Sequence, residues 1–233
     1  MLVGHHAVGF AAKRIAPGVS LGTLQLASVF LDLIVFVDQL AGIEHARVTP
    51  GITAFSALDG YDVAISHSLV TAVLWSTVFA MVYFWRRRDV RASAVLFGVV
   101  FSHWVLDWVS HRPEIPLAPG VHQYVGLGLW NSIAATFVVE GALWLLGIII
   151  YLRMTTANSR FGRYGLLIFI AVLTLAWVNT PFGSMPPGDF SSAALLTLLG
   201  IYAILLFLAY WIERYRTMQP EMLNTLSRQT VGI

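Results

Sequence analysis

Long apolar runs separated by short polar clusters organise this chain. A helix must run for about 20 residues to cross a hydrocarbon core of about 30 Å. Six segments reach that length, at 20 to 43, 66 to 85, 92 to 110, 131 to 152, 164 to 182 and 191 to 212. They predict an all-α architecture, a polytopic transmembrane helical bundle of about six spans. A seventh piece, HHAVGFAAKRIAP at 5 to 17, is too short to span, and the pattern predicts a short helix there, ended by Pro17 and Gly18.

Composition and charge refine this picture. Hydrophobic residues make up 58% of the 233 and charged residues 11%, outside the range of ordinary water-soluble domains. Without cysteine, disulfides and thiolate metal ligands are excluded, leaving nitrogen and oxygen donors for any metal. A net charge of +2, with no basic patch interleaved with aromatics, gives no reason to expect a nucleic-acid partner, and the lipid bilayer is the expected one.

The basic residues sort by side. Lys13 and Arg14, then Arg86, Arg87, Arg88 and Arg91, then Arg153, Arg160 and Arg163, then Arg214, Arg216 and Arg228 occupy alternate connections. Only Arg47 and Arg112 are left for the opposite face. Six alternating spans with both termini cytoplasmic satisfy that asymmetry. Residues 1–115 then carry the candidate site, 116–213 complete the same bundle, and 214–233 form a cytoplasmic tail.

Ionisable residues inside the spans stand out, because they are costly in hydrocarbon and line a cavity or pair with each other. In SHWVLDWVSH, residues 102 to 111, His103, Asp107 and His111 recur every four positions and lie near one helix face. Counted from the cytoplasmic arginines at about 1.5 Å per residue, Asp107 lies roughly 28 Å up its span, His103 about 22 Å, His67 about 28 Å, Asp32 about 27 Å and Glu140 about 20 Å. Folding 5 to 15 back through the Pro17-Gly18 turn sets residue n opposite about 35 minus n, and brings His5 and His6 within a turn of Asp32. One of His5 or His6, with Asp32, His67, His103 and Asp107, thus shares a level in the outer half. Imidazole and carboxylate suit zinc, iron or manganese. Such a divalent metal would offset the burial of two aspartates, and an open coordination position would lower the pKa of a water.

These residues carry a resemblance. An N-terminal His, an Asp late in the first long apolar segment, SHSL at 66 to 69, and the HxxxD of His103 and Asp107 resemble the membrane-bound metal-dependent hydrolase family, the LexA-binding, inner-membrane-associated hydrolases. That family is remotely similar to zinc-dependent phospholipase C and P1-type nucleases, and the likeness covers roughly residues 5 to 111. It implies that His5 or His6 matches the N-terminal ligand, Asp32 the aspartate of a Pro-Asp-x-Asp-His stretch, His67 the histidine of Thr-His-Ser, and His103 with Asp107 the HxxxD. It also implies zinc, hydrolysis of a phosphoester or lipid-like substrate, and a bacterial inner (plasma) membrane. The chain departs from the family at LDLIVFVDQ, where Ile34 replaces the second Asp and Asp38 is the nearest substitute, and at Asp62-Val63, where the family has His-Arg. Asp62 or Asp38 is the candidate base.

Plainer readings stand beside these. His103 and Asp107 would also serve as a hydrogen-bonded clasp between helices. Glu140 reads as a neutral helix-packing carboxyl. His111, Arg112 and Glu114, with Glu44, His45 and Arg47, read as an outer interfacial rim. NTPFGSMPPGDF at 179 to 190 reads as a connection or a lid, and the last two spans as packing helices outside the active region. A transporter, or a non-catalytic accessory subunit with a fixed polar network, are the alternatives to a hydrolase; a transporter predicts carboxylates staggered through the whole thickness.

Overall fold

The computed structural model describes residues 1–183 and 186–219, and nine α-helices dominate them. Five of these, at Leu69–Arg87, Val90–Ser110, Ile133–Met154, Arg160–Phe182 and Ser192–Glu213, are long and apolar enough to cross a membrane. The short α1 (Val3–Ala12) precedes α2 (Leu21–Ser28) and α3 (Phe30–Leu40), which together would make a sixth span bent by 57°. After α3 come β1 (His45–Val48), β2 (Leu58–Asp62), the single turn α4 (Ala64–His67), α5 (Leu69–Arg87) and α6 (Val90–Ser110). The chain continues through β3 (Ile115–Pro116), β4 (Tyr124–Val125), α7 (Ile133–Met154), β5 (Thr155–Ala157), α8 (Arg160–Asn179), β6 (Gly188–Asp189), α9 (Ser192–Glu213) and β7 (Arg216–Met218).

Local sequence explains where the helices begin. Ser20, Ser68, Asp89, Ser132, Ser159 and Ser191 each precede a helix, and each side chain accepts the N–H three residues on, satisfying a donor the helix cannot pair itself. Between α5 and α6 the turn is made by Arg88 in the left-handed region, φ 55°.

Two expectations need correction. The segment 20 to 43 is two helices broken at Val29, and the break frees the Ser28 carbonyl to accept from His103 Nδ1 at 2.9 Å. The bundle is also not purely helical. β1 pairs antiparallel with β2 and with β6, giving the order β2-β1-β6, while β3 pairs with β4 and β5 with β7. Part of the 179 to 190 loop therefore forms an edge strand, with residues 184 and 185 outside the described residues. Of the proposed tail, residues 216 to 218 form β7, and 220 to 233 lie outside the described residues.

Packing places α1 inside the bundle. It runs parallel to α7, with Gly4 bonded to Glu140 and Phe10 stacked near Trp144 and Tyr151. Gly147 lets the two backbones meet: a Cβ there would lie 2.5 Å from the Ala7 carbonyl oxygen. Against α2 it runs antiparallel, His6 meeting Gln25, about a turn from the predicted register. One apolar cluster, around Phe10, Trp144, Phe169 and Trp177, lies on the α7–α8 side; a second, around Leu24, Leu31, Leu96 and Val100, lies on the α2–α6 side. Large apolar side chains such as Met81, Trp85, Leu145, Leu175 and Ile204 face outward.

Candidate metal centre

α6 is the most enclosed of the five long helices, and it carries His103 and Asp107 one turn apart into the middle of the cluster. Around them α1 brings His5, α3 brings Asp32 and α4 brings His67. Two groups have donor atoms within 4.8 Å of one another: His5, His103 and Asp107, and Asp32, His67 and His103. His103 belongs to both. His103 Nε2 lies 3.1 Å from Asp107 Oδ2 and 3.5 Å from Asp32 Oδ1. His67 Nε2 lies 3.7 Å from Asp107 Oδ2 and 3.9 Å from Asp32 Oδ1. Four donors bound at 2.0–2.1 Å in a tetrahedron are about 3.3 Å apart, so these separations lie close to those of an occupied site.

Protonation sharpens the match. His103 Nδ1 faces the Ser28 carbonyl, which can only accept, so Nδ1 carries the hydrogen, and Nε2 bears a lone pair in the neutral ring or is a second donor in the imidazolium. Nε2 lies 3.1 Å from Asp107 Oδ2 without a well-aligned hydrogen bond. A nitrogen and a carboxylate oxygen that close in a buried setting call for positive charge between them, a proton or a metal ion. A cation supplies it, and the backbone carbonyl is the kind of outer partner that fixes a ligating imidazole. His67 Nδ1 is paired with Ser66 Oγ at 2.7 Å, again leaving Nε2 toward the cluster.

The other oxygen of Asp107 serves a second group. Oδ1 is 3.0 Å from His5 Nε2, 3.9 Å from His111 Nε2, and accepts from the Met1 amino group at 2.7 Å. The His5 ring stacks on His103 with centroids 3.7 Å apart. His111 Nδ1 is in turn 2.7 Å from Glu114 Oε1, and the ring packs on Trp130.

Of the two alternatives at the N-terminus, the structure brings His5 to the cluster. His6, the next residue and about 100° around the helix, instead pairs Nδ1 with Gln25 Oε1 at 2.6 Å. The candidate bases stand apart from both groups. Asp38 is six residues beyond Asp32, about 9 Å along α3. Asp62 ends β2 and pairs with His45 at 3.1 Å. Asp62 does line a cavity of about 150 Å³, together with Tyr61, Ala64, Glu114, His122 and Tyr124. The donors nearest solvent are on the Asp32 and His67 side, with 23% and 12% side-chain exposure against 0% for His103.

Tyr202 on α9 was missed by sequence reasoning: its hydroxyl donates to Asp32 Oδ2 at 3.0 Å. The last span is thus not outside the site, while α8 packs on α7 through the Trp177 indole N–H, which donates to Glu140 Oε2. Nor are all the rim residues solvated. Asp59, 1% exposed, accepts from Arg47 and Arg112, each at 2.8 Å. Glu44 is buried as well. Its Oε1 accepts the Ile65 and Ser66 N–H groups at 2.6 and 2.9 Å, capping the α4 turn that carries His67. Burial pushes the Glu44 carboxyl above its ordinary value despite those two bonds.

No family model matches the chain, and neither a curated protein nor a solved structure matches it.

Proposed function

We propose that the protein is an integral membrane metal-dependent hydrolase, a six-span helical bundle in a bacterial inner membrane with its C-terminus cytoplasmic, acting on a phosphoester or lipid-like substrate. The expected cytoplasmic N-terminus is corrected by the Met1 amino group, which is buried against Asp107. The observation that carries this reading is the unbonded approach of His103 Nε2 to Asp107 Oδ2, on the residue shared by two three-donor groups, His5–His103–Asp107 and Asp32–His67–His103. Asp32, His67, His103 and Asp107 hold the cation, zinc by preference, with His5 on the far oxygen of Asp107. Iron and manganese suit the same donors. A cation so held polarises a phosphoryl oxygen and lowers the pKa of a water.

The protein's own groups do the rest. The Ser28 carbonyl holds the His103 ring at Nδ1, Ser66 Oγ holds that of His67 at Nδ1, and Tyr202 orients Asp32 from behind. The more open Asp32–His67 side is the substrate's approach. Phosphoester chemistry, as against any other hydrolysis, rests on the family resemblance of the His, SHSL and HxxxD segments.

A second reading, a clasp without catalysis, is favoured by the (i, i+4) pairing of His103 with Asp107 within one helix. Metal content of detergent-purified protein, measured by elemental mass spectrometry, separates the two. Near-stoichiometric zinc, iron or manganese, lost in folded His103→Ala and Asp107→Ala variants, is expected. No metal even after reconstitution would leave only the clasp.

A further inference from the structure

Glu140 is fully buried in the middle of α7, and among the described residues no lysine, arginine or histidine pairs with it. A carboxyl so placed is expensive, and an apolar side chain of similar size would cost less if packing were its only task. Its two oxygens are divided. Oε2 accepts the Trp177 indole N–H at 3.0 Å, and Oε1 accepts the backbone N–H of Gly4 at 3.0 Å.

The second bond matters more for the site. Gly4 lies in the first turn of α1, immediately before His5, and α1 has no side-chain cap of its own. The first-turn N–H groups of a helix lack partners within it and attract a carboxylate. Glu140 thus supplies from another helix the cap that α1 lacks. Rotation of α1 by one residue would exchange His5 for His6, so the height and rotation fixed at Gly4 decide which imidazole faces Asp107. Glu44 does the same for α4 and His67 from the other side.

We infer that Glu140 is a positioning residue of the metal centre, holding α1 at Gly4 so that His5 Nε2 meets Asp107. The inference rests on the metal reading proposed above. It is tested with the full chain in detergent by measuring zinc affinity, through chelator competition, in wild type, His5→Ala, Glu140→Leu, the isosteric Glu140→Gln, and both Glu140 substitutions combined with His5→Ala. Trp177→Phe removes the other bond of Glu140 and serves as the control.

Glu140→Leu is expected to weaken zinc binding by about 10- to 100-fold, the usual effect of losing an outer partner of a ligand. Glu140→Gln, which keeps one acceptor, falls between it and wild type. In the His5→Ala background either substitution adds nothing, because the two residues act as one unit. Trp177→Phe lowers thermal stability and leaves zinc affinity within about twofold. Should Glu140→Leu fold poorly, the Gln pair decides alone. Unchanged zinc affinity in folded Glu140 variants, or the same loss with and without His5, overturns the inference while the metal reading stands. Wild type that takes up no zinc overturns both.

Discussion

The rings of His5 and His103 lie face to face, 3.7 Å between centroids and 3° from parallel, and both approach Asp107. Two imidazolium rings would repel each other strongly at that distance. At least one ring is therefore neutral, the state in which histidine binds metal.

Tyr202→Phe removes the phenol that donates to Asp32 Oδ2 and leaves the ring packed against Phe36. Zinc affinity should fall by about tenfold, while the melting temperature in detergent changes little. Equal affinity in the variant, by chelator competition, would show that Asp32 is held without α9.

Glu44 gives a pH test away from the spans. Its carboxyl titrates above its ordinary value in the folded protein, so the stability it contributes is fully present below the unfolded pKa and is lost as pH rises through the folded one. Glu44→Gln keeps an acceptor for Ile65 and Ser66 and cannot ionise. The melting temperature of wild type relative to this variant should therefore decline from pH 4 to pH 7. A difference that grows with pH would show the ionised form to be the stabilising one.

Gly147→Ala would put a methyl group 2.5 Å from the Ala7 carbonyl oxygen and 2.8 Å from its Cα. Backbone cannot yield as a side chain does, so α1 must move off α7. The expected cost is about 1–3 kcal/mol, read by thermal unfolding, together with weaker zinc binding because His5 rides on α1. Gly98, with open space around its Cβ position, is the control at which alanine should be tolerated.

At the C-terminal end of α1, Lys13 pairs with Glu213 and donates to the Val19 carbonyl, and Glu213 also accepts the Leu21 N–H. Lys13→Met strands a partly buried carboxylate and should destabilise by about 3 kcal/mol. Adding Glu213→Gln removes the charge, keeps the acceptor for Leu21, and should recover most of the loss. Additive losses in the double variant would mean the two residues act independently.

Depth was the part of the site most open to sequence reasoning. Helical rise is fixed, so counting from the basic residues brought Asp32, His67, His103 and Asp107 to one level, where the donor atoms do meet. Rotation was not available in the same way. His5 and His6 share a level, and only the contacts of α1 with α7 and Gln25 separate them. The break at Val29 left no trace, since no proline or glycine marks LASVFLDL and the partner of the freed Ser28 carbonyl, His103, is 75 residues away. Tyr202 resembled any aromatic in an apolar helix; its role depends on which neighbour α9 happens to face. The rim was misjudged because charge alone does not reveal that Glu44 is buried against α4, or that Arg47 and Arg112 share the buried Asp59.

The cap on α1 also orders events in time. Gly4 and Glu140 are 136 residues apart in the chain, and synthesis at about 5–20 residues per second separates their appearance by on the order of 10 s. During that interval α1, too short to span, has no partner for its first turn and no seam to fit. His5 can reach Asp107 durably only after α7 has been made. The centre is therefore completed late, once α7 has met α1, and acquisition of metal would mark the end of assembly rather than its beginning.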